Sequence, residues 1–286
     1  MNSHFAINQA VAFAKAQCLQ GGSESPLLDA QLLLQSVLDC DRQYLYMHPE
    51  QRLNEAQWQA YRELVARRRE GHPIAHLLGY KDFWSLTLEV NASTLIPRPD
   101  TEILVEQALL LDLPREAKVL ELGCGTGAIS LALATERPAW HLVGLDIEPA
   151  AVQLAIRNRD RYQLGGRVEI HCSDWFSIIP QLNYQQFDLI VSNPPYIDPV
   201  DAHLDQGDVR FEPRRALVAE AQGYADLATI ISTGHNYLAP QGWMLLEHGY
   251  QQAAQVADYF VEKGYQKVNT AKDYANLDRV TFAQRG

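Results

Sequence analysis

Four consecutive residues, Asn193-Pro194-Pro195-Tyr196, combine a side-chain amide, two prolines and an aromatic ring directly after an apolar run. A proline restricts the residue before it to extended conformations, so the backbones of Asn193 and Pro194 are both held. Neither proline carries a backbone N–H. The result is a rigid segment that is rich in hydrogen-bond acceptors and poor in donors.

This platform suits a planar nitrogen that carries two hydrogens. The side-chain oxygen of Asn193 and the carbonyl oxygen of Pro194 can accept the two N–H bonds, and the ring of Tyr196 can stack on the planar group. The lone pair of such a nitrogen is delocalised, so its reaction depends on positioning, which can lower a barrier by about 7–11 kcal/mol. We therefore predict that Asn193, Pro194 and Tyr196 are catalytic, and that these three and Pro195 bind substrate. The motif contains no strong base for the departing proton, and it does not distinguish an amide from a nucleobase; the structural alternative is a plain turn after a strand.

A glycine-rich sequence, Gly123-Cys124-Gly125-Thr126-Gly127, stands between a predicted buried strand and a predicted helix. Glycines permit positive φ and close approach of the backbone to a ligand, and the start of a helix offers free N–H groups. We predict that all five residues bind a cofactor. Asp146, 23 residues after Gly123 and at the end of the next predicted strand, is positioned to accept both hydroxyls of a ribose.

The G-x-G-x-G spacing after Glu121-Leu122 resembles the first motif of class I methyltransferases, whose methyl donor is S-adenosyl-L-methionine. NAD binding is the main alternative and fits less well, because dinucleotide sites have G-x-G-x-x-G spacing. Asp174 and Trp175 follow the third predicted strand, where the adenine of this cofactor is expected, and they are predicted to meet its amino edge and its ring. The alternative there is a capping aspartate beside a core tryptophan. Asn193 completes the predicted cofactor contacts.

These residues need a scaffold that brings several strand ends together. From residue 101 onward, predicted strands and helices alternate, which indicates an open, mostly parallel, doubly wound sheet with ligands at the carboxyl ends of its strands. The fold class is therefore α/β, and the resemblance implies a class I (Rossmann-like) methyltransferase with a mixed sheet. The predicted strands are 118–122, 141–145, 168–171, 187–192, 242–247, 267–270 and 279–283, and the predicted helices are 101–111, 127–136, 149–164, 224–238 and 251–263.

The first part of the chain has a different pattern, with helical periodicity and no alternation typical of strands. We predict a small helical bundle at 1–82, a β-hairpin linker at 83–97 with its turn at 91–93, and the methyltransferase domain at 98–286. Within the bundle, the first helix is predicted from Ser3 to Leu19, and the predicted N-caps of the following helices are Ser25, Asp41 and Asn54.

Composition limits the classes of partner. Of the net charge of −11, residues 1–82 carry −1, from 8 basic and 9 acidic side chains, so the remainder carries −10. Because phosphate neutralisation supplies most affinity for nucleic acid, an acidic catalytic half argues against direct binding of nucleic acid. The four cysteines form no C-x-x-C pair, so neither a metal site nor a disulfide framework is expected. No long apolar run or signal pattern is present, and we expect a cytoplasmic protein without a membrane segment.

Several separated motifs, in order along essentially the whole chain, resemble the protein-(glutamine-N5) methyltransferases of peptide chain release factors, the HemK family. Glu212 in one of these motifs either orders the loop over the pocket or pairs with Arg210 or Arg214. The matching residues are Pro73, Leu78-Gly79, Phe83-Trp84, 95–102 (LIPRPDTE), 196–198, His203-Leu204, 207–213 (GDVRFEP), Ala216-Leu217 and 278–280.

The resemblance implies that the substrate is the glutamine of the Gly-Gly-Gln loop in class 1 release factors, and that the helical domain helps to dock the factor. We separately expect the enzyme to be a monomer. Two alternatives stay open. A nucleic-acid amino methyltransferase would need a basic recognition domain, and the basic cluster Arg67-Arg68-Arg69 is interpreted as a solvated helix face. A binding module without activity would retain the fold without the intact Asn193 and glycine loop found here.

Overall fold

The computed structural model describes residues 5–184, 186–205 and 207–286. They form two compact units: the helical unit, Met1–Tyr80 with Ala202–Phe211, and the sheet unit, Lys81–Asp201 with Glu212–Gly286. Among the described residues, no helix combines the length and the hydropathy that a membrane span requires.

The helical unit is built from short amphipathic helices whose apolar faces pack together. Asp41 and Asn54 are N-caps as predicted, and their side chains accept the backbone N–H of Tyr44 (2.7 Å) and Gln57 (2.9 Å). Ser25 precedes its helix as predicted, but its hydroxyl donates to Asp29 (3.1 Å) instead of capping. The first helix begins later than predicted, and Ser3 and His4 lie outside the described residues. The helices are α1 (Ile7–Gln20), α2 (Pro26–Leu38), α3 (Arg42–Met47), α4 (Glu55–Arg69) and α5 (Ile74–Leu78), and α5 was not predicted.

The predicted solvated face at Arg67-Arg68-Arg69 is wrong for Arg68, which is 9% exposed, while its two neighbours are exposed. Arg68 Nε lies 2.7 Å from Asp29 Oδ2, and Arg68 Nη1 lies 2.7 Å from Asp208 Oδ1. A buried guanidinium needs such partners to offset its lost hydration. Asp208 belongs to a 3₁₀ turn far along the chain, so this ion pair fastens that segment within the helical unit.

The β-hairpin has strands β1 (Tyr80–Phe83) and β2 (Leu86–Glu89). Its turn is at Trp84-Ser85. A turn does form at 91–93, where the Oδ1 of Asn91 accepts the backbone N–H of Ser93 (2.9 Å), but it follows the hairpin and does not connect its strands as predicted. Trp84 has φ of +56°, and its backbone N–H and its indole N–H, each at 2.8 Å, donate to the carboxylates of Glu102 and Glu136. The apolar alternation continues across the turn, and tertiary contacts hold a conformation that the residue type does not favour.

The prediction of a mostly parallel sheet is confirmed. Seven strands lie in the order β5-β4-β3-β6-β7-β9-β8, and only the pairings of β9 are antiparallel among these described strands. Apolar residues on both faces of the sheet form two core clusters under helices on either side. The strands are β3 (Lys118–Leu122), β4 (His141–Asp146), β5 (Val168–Cys172), β6 (Phe187–Ser192), β7 (Leu238–Glu247), β8 (Tyr265–Lys272) and β9 (Asp278–Arg285).

The helices of the sheet unit cover the sheet and leave its strand ends open to loops. They are α6 (Glu102–Leu110), α7 (Ala128–Glu136), α8 (Pro149–Arg161), the single turn α9 (Glu220–Gly223), α10 (Ala225–Gly234) and α11 (Ala253–Glu262). Short 3₁₀ turns occur at Pro99–Thr101, Ile179–Gln181, Ala202–Asp205, Gly207–Phe211 and Arg214–Ala216, of which the third and fourth belong to the helical unit.

Candidate active site

A cavity of about 340 Å³ lies at the carboxyl ends of β3, β4, β5 and β6, within the size range of ligand pockets. Parallel strands end at the same edge, so residues distant in sequence meet there. The structure brings most of the predicted site residues to this cavity, while Gly127, Pro194 and Tyr196 do not line it. Those that line it are Gly123, Cys124, Gly125, Thr126, Asp146, Asp174, Trp175, Asn193 and Pro195.

The glycine loop between β3 and α7 requires left-handed backbone at alternate positions. The φ angles of Gly123, Gly125 and Gly127 are +68°, +51° and +81°, a region that favours glycine. Gly127 forms the turn into α7, and its backbone N–H donates to the carbonyl of Cys124 (2.7 Å). Burial raises the pKa of the Cys124 thiol well above its usual value, which suits a space-filling role. The loop therefore offers backbone, not a nucleophile, to the cavity.

Asp146 at the end of β4 is tied to the glycine loop. Its Oδ2 accepts the backbone N–H of Gly125 (2.8 Å), and its Oδ1 accepts that of Glu148 (2.9 Å). Each carboxylate oxygen has a further lone pair, so the side chain can still accept two hydroxyls. Glu148 also lines the cavity and was not predicted, since its acidic side chain stands in no recognisable motif.

Trp175 and Asp174 form another part of the cavity wall after β5. The Trp175 ring packs over the loop, since a Cβ built on Gly123 would lie 3.8 Å from it. The backbone of Trp175 has φ of +42°, and its carbonyl accepts the hydroxyl of Ser173 (2.8 Å). Asp226 from α10 also lines the cavity, and burial, with the nearby Asp174 adding to the effect, raises its pKa. Sequence reasoning missed Asp226, which lies on a helix remote from the motifs.

Asn193 directly follows β6, and its Nδ2 donates to the hydroxyl of Thr101 (3.1 Å). That contact leaves the Oδ1 of Asn193 available to a ligand. Tyr196 packs against the core, and its hydroxyl donates to Oε1 of Glu247 (3.2 Å). Burial raises the pKa of Tyr196, so the phenol is neutral at physiological pH. Its stacking on a substrate stays a prediction.

Two loop segments that wall the cavity are joined by Glu212. Its Oε2 accepts the backbone N–H of Ile96 (2.9 Å), and its Oε1 forms an ion pair with Arg98. Glu212 was predicted either to order the loop over the pocket or to pair with Arg210 or Arg214. The structure supports the ordering role, and the ionic partner of Glu212 is Arg98. Pro97 and Pro213, beside these contacts, line the cavity.

Two buried polar groups in the wall fit a polar ligand. The hydroxyl of Thr94 has no hydrogen-bond partner among the described residues, although Thr94 is only 2% exposed. A buried hydroxyl without a partner costs about 1–3 kcal/mol, which a ligand contact would recover. Glu121 accepts the backbone N–H of Ser130 (2.8 Å), and burial raises its pKa to about 8. With the glycine loop, Asp146 and Trp175, these groups provide the donors, acceptors and aromatic face that S-adenosylmethionine would need.

Comparison with known proteins identifies the domains of the chain. Residues 9–79 match a family model described as the PrmC N-terminal domain, and residues 114–283 match one described as a methyltransferase domain. A methyltransferase structure from Pyrococcus furiosus covers 70% of this chain and 88% of its own at 17% identity and a TM-score of 0.52, which supports the fold.

Curated relatives match over nearly the full length. The release factor glutamine methyltransferase of Shewanella oneidensis is 51% identical, over 97% of this chain and 96% of its own. That of Escherichia coli (strain K12) is 49% identical, over 92% and 93%. The chain therefore belongs to the family of release factor glutamine methyltransferases, and its methyl donor is S-adenosyl-L-methionine.

Proposed function

We propose that this protein transfers a methyl group from S-adenosyl-L-methionine to the side-chain amide nitrogen, N5, of the glutamine in the Gly-Gly-Gln motif of class 1 release factors. The observation that carries the proposal is the orientation of Asn193 at the end of β6. Its Nδ2 is engaged by Thr101, so its Oδ1 is presented as an acceptor. The N–H of a primary amide is the complementary donor.

The reaction requires positioning more than acid–base chemistry. S-adenosylmethionine, when bound, would supply a methyl group already activated on a sulfonium, and the amide nitrogen that accepts this methyl group would lose a proton to water. Asn193 and the carbonyl of Pro194 hold the two N–H bonds, which aims the nitrogen and favours its pyramidal form. Holding two reactants in this geometry replaces a bimolecular encounter and lowers the barrier.

The proposed cofactor contacts divide between backbone and side chain. The glycine loop allows close approach, Asp146 accepts the ribose hydroxyls, and Trp175 with Asp174 receives the adenine. The lone pairs left on Asp146 after its two backbone contacts support its part in this arrangement.

The proposed partner is a protein. The sheet unit lies in the part of the chain that carries most of the negative charge, which disfavours bare nucleic acid. We propose that the helical part, residues 1–82, docks the release factor, and that the enzyme acts as a monomer in the cytoplasm.

Methyl transfer with labelled cofactor tests this function. The protein is mixed with S-adenosylmethionine labelled in its methyl group and with unmethylated release factor, and the digested factor is analysed for its Gly-Gly-Gln peptide. We expect label in that peptide and none when its glutamine is replaced by alanine. Label in stripped DNA or rRNA, with none in the factor, would overturn the proposal in favour of a nucleic-acid substrate.

A further inference from the structure

Glu247 is a buried carboxylate beside the amide platform. It ends β7, which pairs in parallel with β6 so that Ser192 lies opposite Leu246. Asn193, which follows β6, and Glu247 therefore lie side by side at this edge of the sheet, where Glu247 still pairs with Val280 of β9. Glu247 is only 1% exposed, and burying a carboxylate is costly unless it is satisfied by specific partners.

Two hydroxyl groups face this carboxylate. Tyr196 donates to its Oε1 at 3.2 Å. The hydroxyl of Thr101 lies close enough to the carboxylate to offset part of the effect of burial, which raises the pKa of Glu247. The Oε2 atom has no hydrogen-bond partner among the described residues, so this buried acceptor is open to the hydrogen of the Thr101 hydroxyl. Thr101, itself 4% exposed, accepts a hydrogen bond from the Nδ2 of Asn193 at 3.1 Å and lies beside Glu247.

The donor and acceptor atoms of these groups determine which group donates in each hydrogen bond. An ionised carboxylate only accepts, and a threonine hydroxyl has one hydrogen. When Thr101 gives that hydrogen to Glu247, its oxygen can only accept from Asn193. The amide of Asn193 must then turn its Nδ2 toward Thr101, because the opposite orientation would bring two acceptors together. Its Oδ1 is left for a ligand.

We propose that Glu247 is a positioning residue that acts through Thr101 to fix the amide orientation of Asn193, so that Oδ1 faces the amide of the substrate. This inference rests on the proposed function, in which Asn193 accepts a substrate N–H. Glu247 thus contributes to the reaction without contacting the substrate.

The orientation should depend on pH. The groups that face Glu247 come from several elements: Asp100 and Thr101 before α6, Tyr196 after β6, and Arg279 of β9. Burial outweighs the attraction of Arg279 and the two hydroxyls and raises the pKa of Glu247 to about 7. Arg279 itself is held by Asp273 at 2.9 Å. Protonation below neutrality makes the carboxyl a donor, which removes the constraint on Thr101.

Kinetics provide the first half of the test. Glu247→Gln and Thr101→Val should each lower kcat on the order of tenfold or more, with KM for S-adenosylmethionine nearly unchanged, because a misplaced amide slows the chemical step. Thr101→Ser keeps the hydroxyl and should retain a kcat several times that of Thr101→Val. Glu262→Gln, the same change on the exposed end of α11, is the matched control and should leave kcat unchanged. Equal kcat values for Thr101→Ser and Thr101→Val would overturn the proposal that Glu247 acts through the Thr101 hydroxyl.

Side-chain amide NMR provides the second half and needs no release factor. The NH₂ resonance of Asn193 in the complex with S-adenosylhomocysteine is identified by its loss in Asn193→Ala. We expect slow solvent exchange and a shift with an inflection near pH 7, which disappears in Glu247→Gln and persists in Glu262→Gln. An unchanged pH response in Glu247→Gln would overturn the inference, even if kcat falls. If the NMR response is present but no factor is methylated, the proposed function fails and the orienting network stands.

Discussion

The glycine loop and the amide platform meet at one cavity, yet their conformations have different origins. The loop is shaped by residues within a few positions of one another, through the φ angles of its glycines and the contact from Gly127 to Cys124. Asn193 is oriented by Thr101, which lies 92 positions earlier in the chain. The Tyr196 hydroxyl meets Glu247 across 51 positions.

The difference separates two kinds of dependence on the fold. A loop that offers backbone atoms needs mainly the correct local conformation, which glycine permits. A side chain that must present one of its two similar ends needs partners of fixed donor or acceptor type around it. Substitutions in the platform should therefore affect the reaction step, and substitutions around the loop should affect cofactor affinity or stability.

The largest effect is expected for Asn193→Ala. Loss of the acceptor oxygen should lower kcat on the order of 100-fold or more, because the substrate nitrogen is no longer held in line with the methyl donor. Cofactor affinity, measured by calorimetry, should change little. Asn236→Ala removes an exposed asparagine side chain in the turn before β7 and is the control. Normal turnover by Asn193→Ala would contradict the expectation that substitutions in the platform affect the reaction step.

A smaller effect, on the cofactor side, is expected for Asp146→Ala. Removal of the proposed ribose acceptor should weaken binding of S-adenosylhomocysteine by about 10-fold to 100-fold, as expected for hydrogen bonds to a charged group. Asp146→Asn keeps an oxygen for one of the two backbone N–H groups and separates loss of charge from loosening of the loop. Calorimetry measures both variants, with Asp160→Ala on the exposed face of α8 as control. Unchanged affinity in both would contradict the cofactor role of Asp146.

The smallest effect is expected for Glu121→Gln, beneath the loop. Burial raises the pKa of Glu121 from 4.5 to about 8, because the folded protein accommodates the neutral carboxyl group better than the carboxylate. Its contribution to stability is present below pH 4.5 and is lost as the pH rises through 8. Glutamine does not ionise, so the variant is spared this loss. Between pH 5 and pH 8.5, its free energy of unfolding should rise relative to that of the wild type by at least about 1 kcal/mol.

Urea unfolding at several pH values measures this difference. Glu262→Gln, which changes an exposed carboxylate, should follow the wild type at every pH. A constant difference between Glu121→Gln and the wild type across the range would contradict the assigned cause.

Local patterns predicted much of the sheet unit. The strands at Lys118–Leu122 and Phe187–Ser192 have the predicted bounds, and α7 and α8 differ from the prediction only at their ends. Glycine spacing and tandem prolines act on the backbone of their own neighbours, so they predicted where the loop and platform lie in the fold. The hairpin turn was mispredicted, because the positive φ of Trp84 is supported by side chains of Glu102 and Glu136 that no local pattern reveals.

The sequence by itself determined the order of strands and helices, the glycine loop, and the residue types offered at the strand ends. The tertiary structure decided which end of the Asn193 amide is free, that Glu212 pairs with Arg98, and that Arg68 is buried against Asp29 and Asp208. The physical reason is the separation along the chain over which each kind of interaction acts. Backbone preferences depend on neighbouring residues and can be read along the chain, whereas the satisfaction of buried polar groups depends on which distant side chains packing brings within about 3 Å.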